Sequence, residues 1–292
     1  MYKKLKKSLR RFLNYETWLT LCASIKRSKG TETCCDDNSY IISLTSIPSR
    51  MDSVHVVIES LLSQKHKPEH VILWLSEHDR NGNKILDRNK IPAFLKKQTK
   101  RGLLIKFCDD FRSYRKLLPA MQEYPNSHIV TADDDIIYPS DWLKKLVSVH
   151  QDHPGCVVCY RGVKISFNED GELLPYLQWP EFTAKNNPSF DLFPQGGEGT
   201  IYPKGTFNQD AFDKDIFLKI CLTADDVWFK AMSLHNNVKC VKITAFHNDF
   251  LRVRNSQGED TLHHVNNILG QNDIQINDVF TKYSLISKLK RN

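Results

Sequence analysis

HIVTADDDIIYPSDW, residues 128–142, is the stretch that decides how this chain is read. His128 to Ala132 is a short apolar run that reads as a buried strand, and three aspartates follow it directly. Asp133, Asp134 and Asp135 therefore stand at a strand's carboxyl end. Adjacent carboxylates repel one another and raise one another's pKa unless a cation compensates. Mg²⁺ and Mn²⁺ take hard oxygen ligands and commonly complete their shell with phosphates. Alternate residues of an extended chain face opposite ways. That turns Asp133 and Asp135 together toward a metal ion and leaves Asp134 for a ribose or sugar. An acidic surface turn is the bland alternative. The buried strand before the triplet, with Tyr138-Pro139 and Trp142 after it, argues for the ligand site.

Working outward, strands and helices alternate. SYIISLTS (39–46) reads as a buried strand ending in a turn at Ile47-Pro48, and helical spacing follows over 51–64. HVILWL (70–75) is a second strand, 91–98 a short helix, 103–108 a third strand and 114–123 a helix. After the aspartates come a helix from Trp142 to Val149 and a strand from Cys156 to Val163. From 164 to 215 the regularity fades among five prolines and the glycines Gly196, Gly197 and Gly199. A segment this long inside a compact domain is usually functional. A helix over 225–235, a strand over 238–246, a helix over 261–269 and a polar tail complete the pattern. Alternation of this kind predicts an α/β fold: a Rossmann-like, mainly parallel central sheet with helices on both faces. Ligands bind such sheets beyond the carboxyl ends of the strands.

The charge is unevenly placed. Residues 1–30 carry +8 of a whole-chain net charge of +7, which leaves −1 for residues 31–292. A nearly neutral body excludes nucleic acid as a main partner, because binding needs positive charge on the face that meets the phosphates. Tyr2, Leu5, Leu9, Phe12 and Leu13 form one stripe among Lys and Arg, the pattern of a helix lying on an anionic membrane surface. The expectation is a basic amphipathic segment over 1–37, with residues 1–27 contacting the membrane, then a catalytic domain over 38–285 and a basic tail over 286–292. A helix packed on the body is the alternative for the first of these. No run is long enough for a transmembrane helix or a signal peptide. The eight cysteines are expected to be reduced and mostly buried, the CVVC at 156–159 included, since it lies in a strand-like run. The expected location is the cytoplasm, peripheral at the inner face of the cytoplasmic membrane.

Five further segments bear on function: ISLTSIPSR (42–50), DFRSYRKLLPA (110–120), GGEGTIYP (196–203), LTADDVWFKAM (222–232) and TLHHVNNILGQND (261–273). Together with the Asp-x-Asp, and in this order, they resemble bacterial polysaccharide and lipopolysaccharide glycosyltransferases with the A-type fold. The likeness spans roughly residues 38–285 and departs from the pattern at Arg112-Ser113, where Gly-Pro is expected. It implies transfer of a sugar from a nucleotide-diphosphate donor, a UDP-sugar by preference, to a growing glycan or lipid-linked glycan acceptor, with Mn²⁺ or Mg²⁺ as cofactor and inversion at the anomeric carbon.

The resemblance also implies roles. Thr45 and Arg50 would hold the base and diphosphate, Asp110 the uracil edge or ribose, and Lys116 the phosphate charge. Gly196 and Gly197 would let the donor approach a bare backbone. Asp226, with Asp225 as runner-up, would take the acceptor's proton, although acids at a helix start also complement its dipole. His247, after the last strand, would be a third metal ligand. Trp179, Tyr202 and Trp228 are read as core rings in preference to sugar platforms. Two other classes fit less well: a sugar-nucleotide nucleotidyltransferase, for which the glycine-rich phosphate loop with lysine is missing, and a non-catalytic glycan- or membrane-surface-binding protein.

Overall fold

The computed structural model describes residues 15–33, 39–245, 250–253, 266 and 270–290. Nine helices of this region are α1 (Tyr15–Ile25), α2 (Val54–Leu62), α3 (Ala93–Thr99), α4 (Leu118–Glu123), α5 (Trp142–Asp152), α6 (Lys214–Ile220), α7 (Asp225–His235), α8 (Gln271–Lys282) and α9 (Ile286–Leu289). The strands are β1 (Tyr40–Thr45), β2 (His70–Leu75), β3 (Leu103–Phe107), β4 (His128–Ala132), β5 (Ile136–Ile137), β6 (Val157–Lys164), β7 (Leu192–Tyr202), β8 (Cys240–Lys242) and β9 (Leu251–Arg252).

Seven strands form one sheet in the order β3-β2-β1-β4-β7-β6-β8, and β5 and β9 form a separate ribbon. β3, β2, β1 and β4 are parallel neighbours, β6 and β8 pair in parallel, and β7 runs antiparallel to both β4 and β6. β1 is central and apolar on both faces: Ile42 and Leu44 enter one core with α2, α3 and α5, while Ile41 enters the other with α4, α7 and α8. The protein is thus the expected α/β sheet with helices on both faces. No helix among the described residues is long and apolar enough to cross a membrane.

Two expectations need correction. The stretch 164–215 contains an eleven-residue strand, β7, which lies between β4 and β6 over residues 200–202 and pairs with β6 alone over 192–195, despite Pro194 and three glycines. Proline and glycine read as strand breakers, yet Pro194 pairs in register with Gly162 of β6, and the glycines fall in the register shift opposite Cys159 and Arg161, between Gln195 and Thr200. The polar tail folds as α8, with Ile276, Val279 and Phe280 buried. Part of the basic N-terminal segment packs on the body, since α1 buries Leu19 and Cys22. Residues 1–14, Cys34, Cys35 and most of the helix expected over 261–269 lie outside the described residues. The other six cysteines are free thiols, four of them buried. Trp179, Tyr202 and Trp228 are core residues.

Candidate active site

A cleft of about 970 Å³ opens beyond the carboxyl ends of β1 and β4. The sequence places the aspartate triplet there because β4 ends at Ala132 and the chain must leave the sheet. Two aromatic residues of the same segment fix the exit. The Tyr138 hydroxyl accepts from the Asp133 N–H (2.8 Å) and donates to the Gly197 carbonyl (2.9 Å), while the Trp142 indole N–H donates to the Glu198 carbonyl (2.7 Å). The triplet and the glycine strand are thereby locked together.

The three carboxylates meet different partners. Asp133 is half-buried, its Oδ1 3.2 Å from Lys116 Nζ. Asp134 is buried and accepts from Ser46 Oγ and Arg50 Nη1, each at 2.5 Å. Burial raises its pKa against the pull of Arg50 and Ser46. Asp135 lies 3.4 Å from Arg252 and 3.8 Å from Arg50, and burial, then Asp133, pushes its pKa up to about 6. Arg252 arrives through the β5–β9 ribbon, in which Ile136 pairs with Arg252.

Lys116 ties the two acidic groups of the sequence together. It is buried, 3.0 Å from Asp225 Oδ2 as well as 3.2 Å from Asp133. Burial opposes its charge, but Asp133, Asp225 and Asp226 outweigh burial and hold it protonated. Asp226 accepts the Gly196 N–H through Oδ2 at 3.0 Å; its Oδ1 is out of solvent with no hydrogen-bond partner among the described residues. Burial, then Asp225, raises its pKa. Neither acid caps α7 with its side chain. A Cβ on Gly196 would lie 2.6 Å from Asp226 Oδ1, and one on Gly197 3.3 Å from Asp133 Oδ2, so the bare backbone lets both carboxylates close in.

Thr45 and Asp110 line the same cleft. The Thr45 hydroxyl is engaged with the Trp74 carbonyl at 2.9 Å, and Asp110 accepts from the Arg112 N–H at 3.0 Å and faces Arg115 Nε at 3.7 Å. The sequence-predicted residues thus converge, except His247, which lies outside the described residues. Sequence reading missed Ser46, Arg115, Arg161, Tyr176, Gln195 and Arg252. Ser46, beside Thr45, and Arg115, beside Lys116, carried a local signal; the others come from distant elements or from a stretch read as irregular.

Among the described residues, no three His, Cys, Asp or Glu side chains converge as a ready-made metal cage. Mg²⁺ and Mn²⁺ sites built with a phosphate substrate need only one or two carboxylates. Asp133 and Asp135 fit that role as hard oxygen donors that both line the cleft.

No protein-family model matches the chain, and no curated protein matches it. Among solved structures it is similar to the crystal structure of S. aureus TarS 1–349, at 13% identity and a TM-score of 0.44, over 71% of this chain. The chain spans 59% of that chain's length.

Proposed function

We propose that the protein is a metal-dependent glycosyltransferase that moves a sugar from a nucleotide-diphosphate donor, a UDP-sugar by preference, to a cell-surface glycan, with inversion. The observation that carries this reading is the convergence of Asp133–Asp135, Lys116 and the Asp225–Asp226 pair in one cleft at the strand ends. The cleft's charge supports a metal. Seven acids and six Lys or Arg line it, so its cations are already largely matched and a diphosphate brings uncompensated negative charge. Asp133 and Asp135 would hold Mn²⁺ or Mg²⁺, which neutralises the diphosphate of the donor and of the leaving nucleotide.

The chain's own residues supply the rest. Arg50 and Lys116 present positive charge to the diphosphate, and Thr45 and Asp110 line the nucleotide side toward β3. Asp226 takes the acceptor hydroxyl's proton as the new C–O bond forms at the anomeric carbon. The old C–O bond breaks with its electron pair going to the diphosphate. Asp226 lines the cleft and is only half-buried, whereas Asp225 is buried and held by Lys116, which supports this assignment.

The test is UDP release from a panel of UDP-sugars with Mn²⁺, together with calorimetric UDP binding. Release and metal-dependent binding are expected in the unaltered protein. Asp135→Ala is expected to abolish the metal dependence of binding; metal-dependent binding unchanged in a folded variant overturns the metal assignment.

A further inference from the structure

The cleft extends past Asp226 to a part of the sheet that the donor chemistry leaves unused. Across the sheet, β1, β2 and β3 lie on one side of β4, and β7 and β6 on the other. The residues assigned to the nucleotide sit at the ends of β1 and β3. Arg161 sits on β6, two strands from β4 in the opposite direction, roughly 10 Å away at ordinary strand spacing.

Arg161 is held in a particular way. Its Nε donates to Gln195 Oε1 at 2.9 Å, and Gln195 Nε2 donates to the Tyr176 hydroxyl at 2.7 Å. The Tyr176 ring is itself pinned against Trp179 and Phe193 at 5.3 and 5.6 Å. Positioning thus consumes Nε and leaves the two Nη groups, the fork that suits a carboxylate or phosphate. Arg50, Arg115, Lys116 and Arg252 in this cleft each have a carboxylate partner. Arg112 is exposed to water. Arg161 is half-buried and, among the described residues, has no carboxylate within ion-pair distance. The base is close by: the residue after Gln195, Gly196, donates its N–H to Asp226.

We propose that Arg161, braced by Gln195 and Tyr176, binds a carboxylate or phosphate on the acceptor, so that the acceptor is an acidic saccharide. This rests on the glycosyltransferase reading. An anion seated on Arg161 places a neighbouring hydroxyl of the same sugar within reach of Asp226, and neutral saccharides lose that anchor.

The experiment measures binding of three monosaccharide probes by ligand-observed NMR at about 0.15 M salt, without nucleotide. The probes are methyl β-D-glucuronide for a carboxylate, glucose 6-phosphate for a phosphate, and neutral methyl β-D-glucoside. At least one acidic probe is expected to bind ten-fold or more tightly than the neutral one. Arg161→Gln is expected to erase that preference while UDP–Mn²⁺ binding stays unchanged, and Arg161→Lys to retain only part of it. Equal binding of acidic and neutral probes, or a preference that survives in Arg161→Gln, overturns the proposal. Loss of UDP binding in Arg161→Gln overturns the acceptor assignment by placing the residue on the donor. Failure of UDP to bind the unaltered protein, with the acidic preference intact, overturns the transferase reading and leaves the anion site standing.

Discussion

Asp225 and Asp226 are sequence neighbours in different surroundings. Asp225 faces Lys116 at 3.0 Å, whereas Asp226 accepts the Gly196 N–H at 3.0 Å and has no ion-pair partner among the described residues. Asp226→Asn is therefore expected to keep the fold and donor binding and to lower the transfer rate about 10²–10⁴-fold. Asp225→Asn loosens Lys116 and is expected to cost less rate. Steady-state kinetics with a binding assay separate them. A dead Asp225→Asn beside an active Asp226→Asn reverses the roles, and two active variants of lower melting temperature make the pair structural. The pH profile carries a matching expectation. A base must be ionised to act, and burial beside Asp225 raises the Asp226 pKa. The acid limb of kcat/KM should then lie above the ordinary carboxylate range and vanish in Asp226→Asn.

At the scale of an element, β7 joins fold and chemistry through its glycines. A Cβ at Gly196 meets the ends of two flexible side chains, 2.6 Å from Asp226 Oδ1 and 3.3 Å from Lys116 Nζ. A Cβ at Gly199 meets the Trp142 ring at 2.4 Å, and φ there is +107°. Gly196→Ala should thus lower the transfer rate ten-fold or more with little change in melting temperature. Gly199→Ala should unsettle the fold by roughly 2 kcal/mol or more, through strain and a displaced core ring. Thermal melting beside activity checks both; a Gly196→Ala protein as active as its parent would mean that the close approach of β7 to Asp226 does not matter for catalysis.

For the whole molecule, acid stability and membrane contact are the testable properties. At the amino end of the sheet the Tyr40 hydroxyl meets His150 Nδ1 at 2.9 Å, and the buried His150 Nε2 has no hydrogen-bond partner among the described residues. Burial, then His128, lowers the His150 pKa to about 4; burial also lowers those of His128 and His66. The folded-state pKa lies below the unfolded value, so this contribution is whole above about pH 6.5 and is lost as the pH falls toward 4. Urea unfolding should show a loss on the order of 2 kcal/mol between pH 7 and 4.5, flattened by His150→Gln, which retains an acceptor for Tyr40. A slope unchanged in that variant assigns the acid loss to other groups. The basic amino-terminal residues are proposed to meet an anionic membrane. Because α1 is part of the core, the deletion that tests this stops at residue 14. It should reduce binding to phosphatidylserine-containing liposomes; equal binding with and without these residues counts against the idea.

Much of this protein was legible in one dimension because its signals are local. The buried runs 39–46 and 128–132, the alternation of strand and helix, and the acids placed just after β4 follow from patterns of a few residues, and so do the α/β fold and the position of the cleft. Asp133–Asp135 could be named that way, and Lys116 and Asp225–Asp226 through the resemblance of their segments, but their meeting through one buried lysine could not. Their separations along the chain say nothing about distances across a sheet. Strand β7 was hidden because glycine and proline argue against a strand locally, while pairing with β6 on either side of the glycines, and with β4 over residues 200–202, overrides them. Arg161, Gln195 and Arg252 were invisible for a related reason. An arginine in an ordinary stretch becomes a site residue only when strand order and a two-stranded ribbon carry it to the cleft, and that order is a property of the folded sheet alone.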